Sequence, residues 1–145
     1  MYDRILLPTD GSETATLAAG RAIDMADRHG ATLHVLYVAK RTRDDPIGDG
    51  LEETLAEERN TGEATVEDVA DRAEKSDVET RTTVETGVPR VTIEDYADEH
   101  GIELIVLGST GASGVTEKLL GTVAKYVVNE APADVFIVRR DDRVA

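Results

Sequence analysis

Three glycines and a hydroxyl residue, spaced Gly108-x2-Gly111-x9-Gly121-Thr122, are the part of this chain best suited to chemistry. They follow the apolar run Ile102–Leu107 and precede the helical pattern Val123–Asn129. A glycine-rich connection from a strand to a helix start suits an anion. Glycine lets the backbone approach closely and adopt positive φ. The unpaired N–H groups and positive dipole end of the helix face the charge. Ser109, Thr110, Ser113 and Thr122 add hydroxyl donors, and the chemistry expected is phosphate binding. The connection is also much longer than the usual βα loop of about 2–6 residues, and long loops tend to be functional.

Other residue sets offer less. No G-x-x-x-x-G-K-[ST] string is present, and the first βα turn, Asp10-Gly11-Ser12, has one glycine where a dinucleotide fingerprint needs three. His29, His34 and His100 form no metal-ligand spacing and read as structural, the first and last beside helix-ending glycines. There is no nucleophile elbow and no cysteine, which excludes disulfides and thiolate metal sites. Asp10, at the end of the first strand, is either a turn residue bonding nearby N–H groups or a polar contact to a ligand. An aspartate beside polyphosphate needs a sugar hydroxyl or a divalent ion between them, so Asp10 is the candidate indirect Mg²⁺ contact. Lys118 reads as a solvated loop residue within reach of phosphate.

These residues need a frame. Apolar runs alternate with helical patterns along all 145 residues, enough for one domain with a full core. Expected strands are 2–8, 31–38, 78–86, 104–107 and 135–139. Expected helices run from Ser12 as cap to His29, from Leu51 to about Lys75, from Pro89 to Gly101, and onward from Gly121, with Thr122 as a potential N-cap. Residues 40–50, with Pro46, Gly48 and Gly50, read as a mobile polar loop. Alternating strands and helices predict a single doubly wound five-stranded parallel sheet with helices on both faces. The first, second and fourth strands are continuously apolar and belong in the centre, whereas Glu79, Arg81, Thr83 and Glu85 suit the third to an edge. The order 3-2-1-4-5 satisfies this with right-handed crossovers. Its switch point lies between the first and fourth strands, so the turn 9–12 and the glycine connection meet in one crevice.

The glycine string resembles the nucleotide-binding signature of the universal stress protein family, in its ATP-binding branch. The resemblance extends along the chain through Ile5-Leu6-Leu7-Pro8-Thr9-Asp10-Gly11-Ser12, Leu33-His34-Val35-Leu36-Tyr37-Val38, Gly87-Val88-Pro89 and Ala131–Arg139. It implies ATP or another adenine nucleotide, with or without Mg²⁺, bound by Pro8, Thr9, Asp10, Val38, Gly108, Ser109, Gly111, Gly121, Thr122 and Val123. Thr9, Asp10 and the Val38 backbone would surround adenine and ribose. Thr110 stands where many members carry a basic or imidazole side chain, which removes one phosphate contact. The domain expected is 1–140, with 141–145 as a short tail. No general base or arginine finger is evident, so catalytic residues are none. A regulatory nucleotide-binding protein of stress response is the first reading, and a slow Mg²⁺-dependent ATPase or phosphotransferase the alternative. A phosphorylated receiver lacks its aspartate after the third strand and its lysine after the fifth.

Charge narrows the partners. Thirty acidic against 16 basic residues give −14, which argues against nucleic acid. Only Lys40, Lys75, Lys118 and Lys125 are lysines, a balance resembling proteins of salt-loving organisms, whose self-repulsion salt screens. No signal peptide and no membrane-length apolar run is visible, so a cytoplasmic location is expected. The apolar fifth strand, Val135-Phe136-Ile137-Val138, would leave unpaired backbone groups at the sheet edge. Pairing with a second copy across a two-fold axis would cover them, and the resemblance implies the same homodimer.

Overall fold

A computed structural model describes residues 1–40, 49–110 and 120–139. The polar loop 41–48, Gly111, Ser113, Lys118 and the tail 141–145 lie outside the described residues. The elements in chain order are β1 (Arg4–Pro8), α1 (Glu13–His29), β2 (Thr32–Lys40), α2 (Asp49–Glu74), β3 (Thr80–Gly87), α3 (Pro89–Glu99), β4 (Leu104–Gly108), α4 (Thr122–Glu130) and β5 (Asp134–Val138). The strands form one sheet in the order β3-β2-β1-β4-β5. Every pairing is parallel, with Leu6 beside His34 of β2 and Ile105 of β4.

Local chemistry accounts for the helix ends. Ser12 is extended and its Oγ accepts the Ala15 N–H at 3.2 Å, which satisfies one orphan donor of α1. Gly30 closes that helix at φ 65°, a left-handed position that suits glycine. Pro89 opens α3, where its missing N–H costs nothing. The end of α2 has no glycine signal. Asp77 takes the left-handed turn at φ 57°, and the Val78 N–H returns to the Ala73 carbonyl at 3.1 Å. This turn delays β3 to Thr80, two residues later than expected, while β2 runs two residues further, to Lys40.

The sheet separates two apolar layers. On one face α1 presents Ala15, Ala18, Ala19, Ala22, Ile23 and Ala26, all buried. These small side chains bring α1 close to Ile5, Leu7 and Val106, with Val66, Val69 and Ala73 of α2 completing the layer. On the other face Ile93, Tyr96, Ala97, Ala124 and Val127 of α3 and α4 cover Leu6, Leu36, Ile105 and Leu107. Leu6, Leu36 and Ile105 are fully buried, each worth roughly 1.5–3 kcal/mol in transfer from water.

Candidate functional site

The site begins where β1 and β4 end. The Thr9 N–H extends the sheet to the Leu36 carbonyl at 2.9 Å, and Asp10 then turns the chain into α1. The Asp10 Oδ1 accepts the Ser12 N–H at 2.9 Å, so the carboxylate holds its own turn while remaining exposed. Both readings of Asp10 are therefore compatible with its position.

Across the switch point, the Ser109 N–H bonds the Val138 carbonyl and the Gly121 N–H bonds the Ser109 carbonyl, each at 2.8 Å. The second bond ties the two ends of the glycine connection together. It also assigns the Gly121 N–H to the protein rather than to an anion. Gly121 is the N-cap of α4 and Thr122 its first helical residue, which corrects the reading of Thr122 as cap. The helix ladder starts with the Lys125 N–H on the Gly121 carbonyl at 3.0 Å. The N–H groups of Thr122, Val123 and Ala124 thus stand in the first turn, where a helix offers no acceptor. They are the donors that an anion would meet.

Gly108 has a reason of its own. A Cβ there would lie 2.9 Å from Thr14 Cγ2 and 3.3 Å from the Thr14 carbonyl carbon. The glycine permits α1 to pack over the end of β4, a packing requirement that the spacing alone does not separate from phosphate approach. Thr110 Oγ1 lies 3.4 Å from Thr14 Oγ1, the same helix turn.

These pieces surround a crevice of about 560 Å³, within the usual size of a small-molecule site. Pro8, Thr9, Asp10, Val38, Gly108, Ser109, Gly121, Thr122 and Val123 all line it. Gly111, the remaining member of the expected set, lies outside the described residues. The crevice has two unlike walls. Toward α3 and α4 it is apolar, with Leu36, Val38, Pro89, Ile93 and Leu107. Toward α2 it is polar, with Tyr37, Lys40 and Glu58 beside Asp10.

Sequence reasoning missed the polar wall. The Tyr37 hydroxyl donates to Glu58 Oε2 at 2.8 Å, from the end of β2 to the middle of α2. Burial, then the hydrogen bond to Glu58 and the charges of Glu58 and Asp10, push the Tyr37 phenol up to about 12. It therefore keeps its proton and acts as a donor. Gly62 makes this pairing feasible, because a Cβ there would lie 2.5 Å from the Tyr37 ring. The available signal was Gly62 itself, one glycine inside an otherwise regular helix, which marks a close approach.

The model of the universal stress protein family matches residues 1–139. A universal stress protein of Methanocaldococcus jannaschii is 32% identical over 142 residues, covering 97% of this chain and 84% of that protein. Among solved structures, universal stress protein UspA from Lactobacillus plantarum is 34% identical with TM-score 0.79, over 95% of this chain and 98% of that one. A universal stress protein solved in complex with cAMP is 25% identical with TM-score 0.70, over 94% of this chain and 96% of that one. The chain belongs to the universal stress protein family.

Proposed function

We propose that this universal stress protein binds an adenine nucleotide, ATP in the first instance, in the switch-point crevice and uses it as a regulatory ligand. One observation carries the reading: Pro8, Thr9, Asp10 and Val38 of the first two strand ends line the same crevice as Gly108, Ser109, Gly121 and Thr122 of the glycine signature. The neighbour solved with cAMP supports the adenine class. The base enters the apolar wall beside Val38, and the phosphates lie at the start of α4. Thr122, Val123 and Ala124 donate backbone N–H groups there, and Thr122, which is exposed, adds its hydroxyl. Among the described residues no group of three or more histidines, cysteines or acids could hold a metal. Mg²⁺ would therefore arrive with the phosphates and use Asp10 as its carboxylate, since this ion usually needs only one or two from the protein. The ligand is read as held rather than turned over, since the described lining of the crevice includes no arginine to stabilise phosphoryl transfer. The nucleotide domain is proposed to span 1–140, with 141–145 as a tail.

Calorimetry on Gly121→Val tests the placement. Gly121 has φ −64°, which any residue adopts, so the backbone tolerates the change. Gly121 lines the crevice, so an added side chain is expected to take space where phosphate should approach. A loss of ATP affinity of at least about tenfold, or 1.4 kcal/mol, is expected with the melting curve preserved. Unchanged affinity in a folded variant would place the phosphates elsewhere.

The same reading includes a homodimer through β5, in a cytoplasmic protein. Among the described residues no helix is long and apolar enough to cross a membrane. The strand is an edge of the sheet, and Phe136 on it is 39% exposed. Pairing of β5 with a second copy would bury that ring and satisfy the edge. Phe136→Glu should convert the dimer to monomer in light scattering at micromolar concentration. A wild-type protein already monomeric under those conditions would remove this part of the proposal.

A further inference from the structure

The crevice is asymmetric in a way that the glycine signature does not explain. Its α2 wall carries a carboxylate, Glu58, clamped by a phenol that rises from the strand below. β2 and β4 are separated by β1, two strand spacings or roughly 10 Å. A nucleotide with its phosphates at the β4–α4 end thus places its nucleoside over β1 and β2. The opposite face of β2 supplies Leu36 and Val38, which with Pro89, Ile93 and Leu107 form the apolar slot for a base. What remains between base and phosphate faces the polar wall of Asp10, Tyr37, Lys40 and Glu58.

We infer that Glu58, held in place by Tyr37, is the residue that reads the ribose hydroxyls of the bound nucleotide. The inference rests on the adenine-nucleotide reading above. An ionised carboxylate only accepts hydrogen bonds, so it repels phosphate and selects a donor. The ribose diol is the uncharged donor pair that lies between base and phosphate. Carboxylates on the second strand of dinucleotide-binding sheets use the same chemistry on a ribose hydroxyl. Here the carboxylate comes from a helix instead. Its geometry is set by the Tyr37 hydroxyl on Oε2, and the residue lines the crevice. The Tyr37 ring is fixed in turn by the close passage of Gly62. Glu58 is half-buried, so its bond to a hydroxyl is partly shielded from water. The ligand class is therefore a ribonucleotide, in preference to the deoxy form.

Calorimetry of the full chain with ATP, 2′-deoxy-ATP and 3′-deoxy-ATP tests this. A charge-assisted hydrogen bond predicts that removing the hydroxyl read by Glu58 weakens binding about tenfold or more. Glu58→Gln should bind all three nucleotides at that weaker level, with no remaining discrimination. Tyr37→Phe should keep part of the discrimination, because the carboxylate persists but loses its clamp. It also serves as the second variant should Glu58→Gln not fold. Equal wild-type affinity for all three nucleotides overturns the inference and leaves the nucleotide reading standing. Full discrimination retained in Glu58→Gln does the same. Wild-type protein that binds none of them overturns both.

Discussion

Two polar pairs hang from β2, one buried and one half-buried, three residues apart and on opposite faces of the sheet. His34 Nδ1 meets the Tyr96 hydroxyl at 2.8 Å under α3, and the Tyr37 hydroxyl meets Glu58 Oε2 at 2.8 Å under α2. The distances match, yet the surroundings differ. His34 lies mid-strand, paired in register with Leu6 and Arg81, and is 5% exposed. Tyr96 stacks on His100 with ring centroids 3.8 Å apart and is itself buried in the α3 layer. Tyr37 and Glu58 lie at the carboxyl end, where the sheet opens into the crevice. A buried polar pair in the middle of a sheet serves packing, and the same pair at a switch point is available to a ligand. Position along the strand decides between the two, not residue type.

Replacing Gly62 with valine should have the largest effect and strike one pair alone. Even the first carbon of a side chain would enter the Tyr37 ring. Overpacking of this kind costs about 1–3 kcal/mol. Removing a helical glycine returns up to about 1 kcal/mol, less for β-branched valine, so the net change is destabilising. We expect thermal melts to drop by several degrees and ATP affinity to fall together, because α2 moves away from Tyr37 and takes Glu58 with it. Affinity preserved at reduced stability would show that the α2 wall does not touch the ligand.

Tyr96→Phe is the matching change on the other face and should be milder. It deletes one hydroxyl and leaves His34 Nδ1 without that partner, at about 1–2 kcal/mol. Tyr96 does not line the crevice, so calorimetry should find ATP affinity unchanged within error. An affinity loss comparable to that of Glu58→Gln would erase the distinction between the pairs.

The two pairs also differ in how readable they were. Strand order and the α1 ends followed from local signals: the polar residues of the third strand, Ser12, and the glycine after His29. The crevice was readable as far as two loops joined by topology. Its polar wall was not, because Tyr37 and Glu58 are 21 residues apart and meet only after α2 docks. His34 was read as structural and is buried, but its partner Tyr96 lies 62 residues away and no periodicity points to it. His100 was read as a helix-end residue suited to the dipole. It is the C-cap of α3, and its further contact, the stack on Tyr96, was invisible. The cap of α4 was misplaced by one residue, from Gly121 to Thr122, and nothing in the spacing reveals that Ser109 claims the Gly121 N–H. Local rules reached the elements, while the pairings between elements depended on docking geometry.

The smallest effect expected is on pH, and it belongs to the sealed pair. Burial, followed by the charges of His100, Arg81 and Arg4, lowers His34 from its ordinary value of 6.5 to about 4. The fold thus holds the imidazole neutral, against Tyr96 from α3, His100 at the end of that helix, Arg81 on β3 and Arg4 on β1. As pH falls below 6.5, the unfolded chain takes up a proton that the folded chain refuses. Stability is lost across the interval down to about 4 and the loss levels off below it, where both states carry the proton. Between pH 7 and 5.5, with solvent screening discounted, the loss should stay under about 1 kcal/mol, or a few degrees of melting temperature. That range lies above the ordinary carboxylate pKa values, so the many surface acids change little. His34→Gln keeps an acceptor for the Tyr96 hydroxyl and cannot titrate, so its melts should decline less over the same range. Nucleotide affinity should show no step at this pKa in either protein, because the imidazole lies outside the crevice. A wild-type melting curve that declines no more than that of His34→Gln would mean that His34 is open to water, and the contrast between the two pairs would fail at its sealed end.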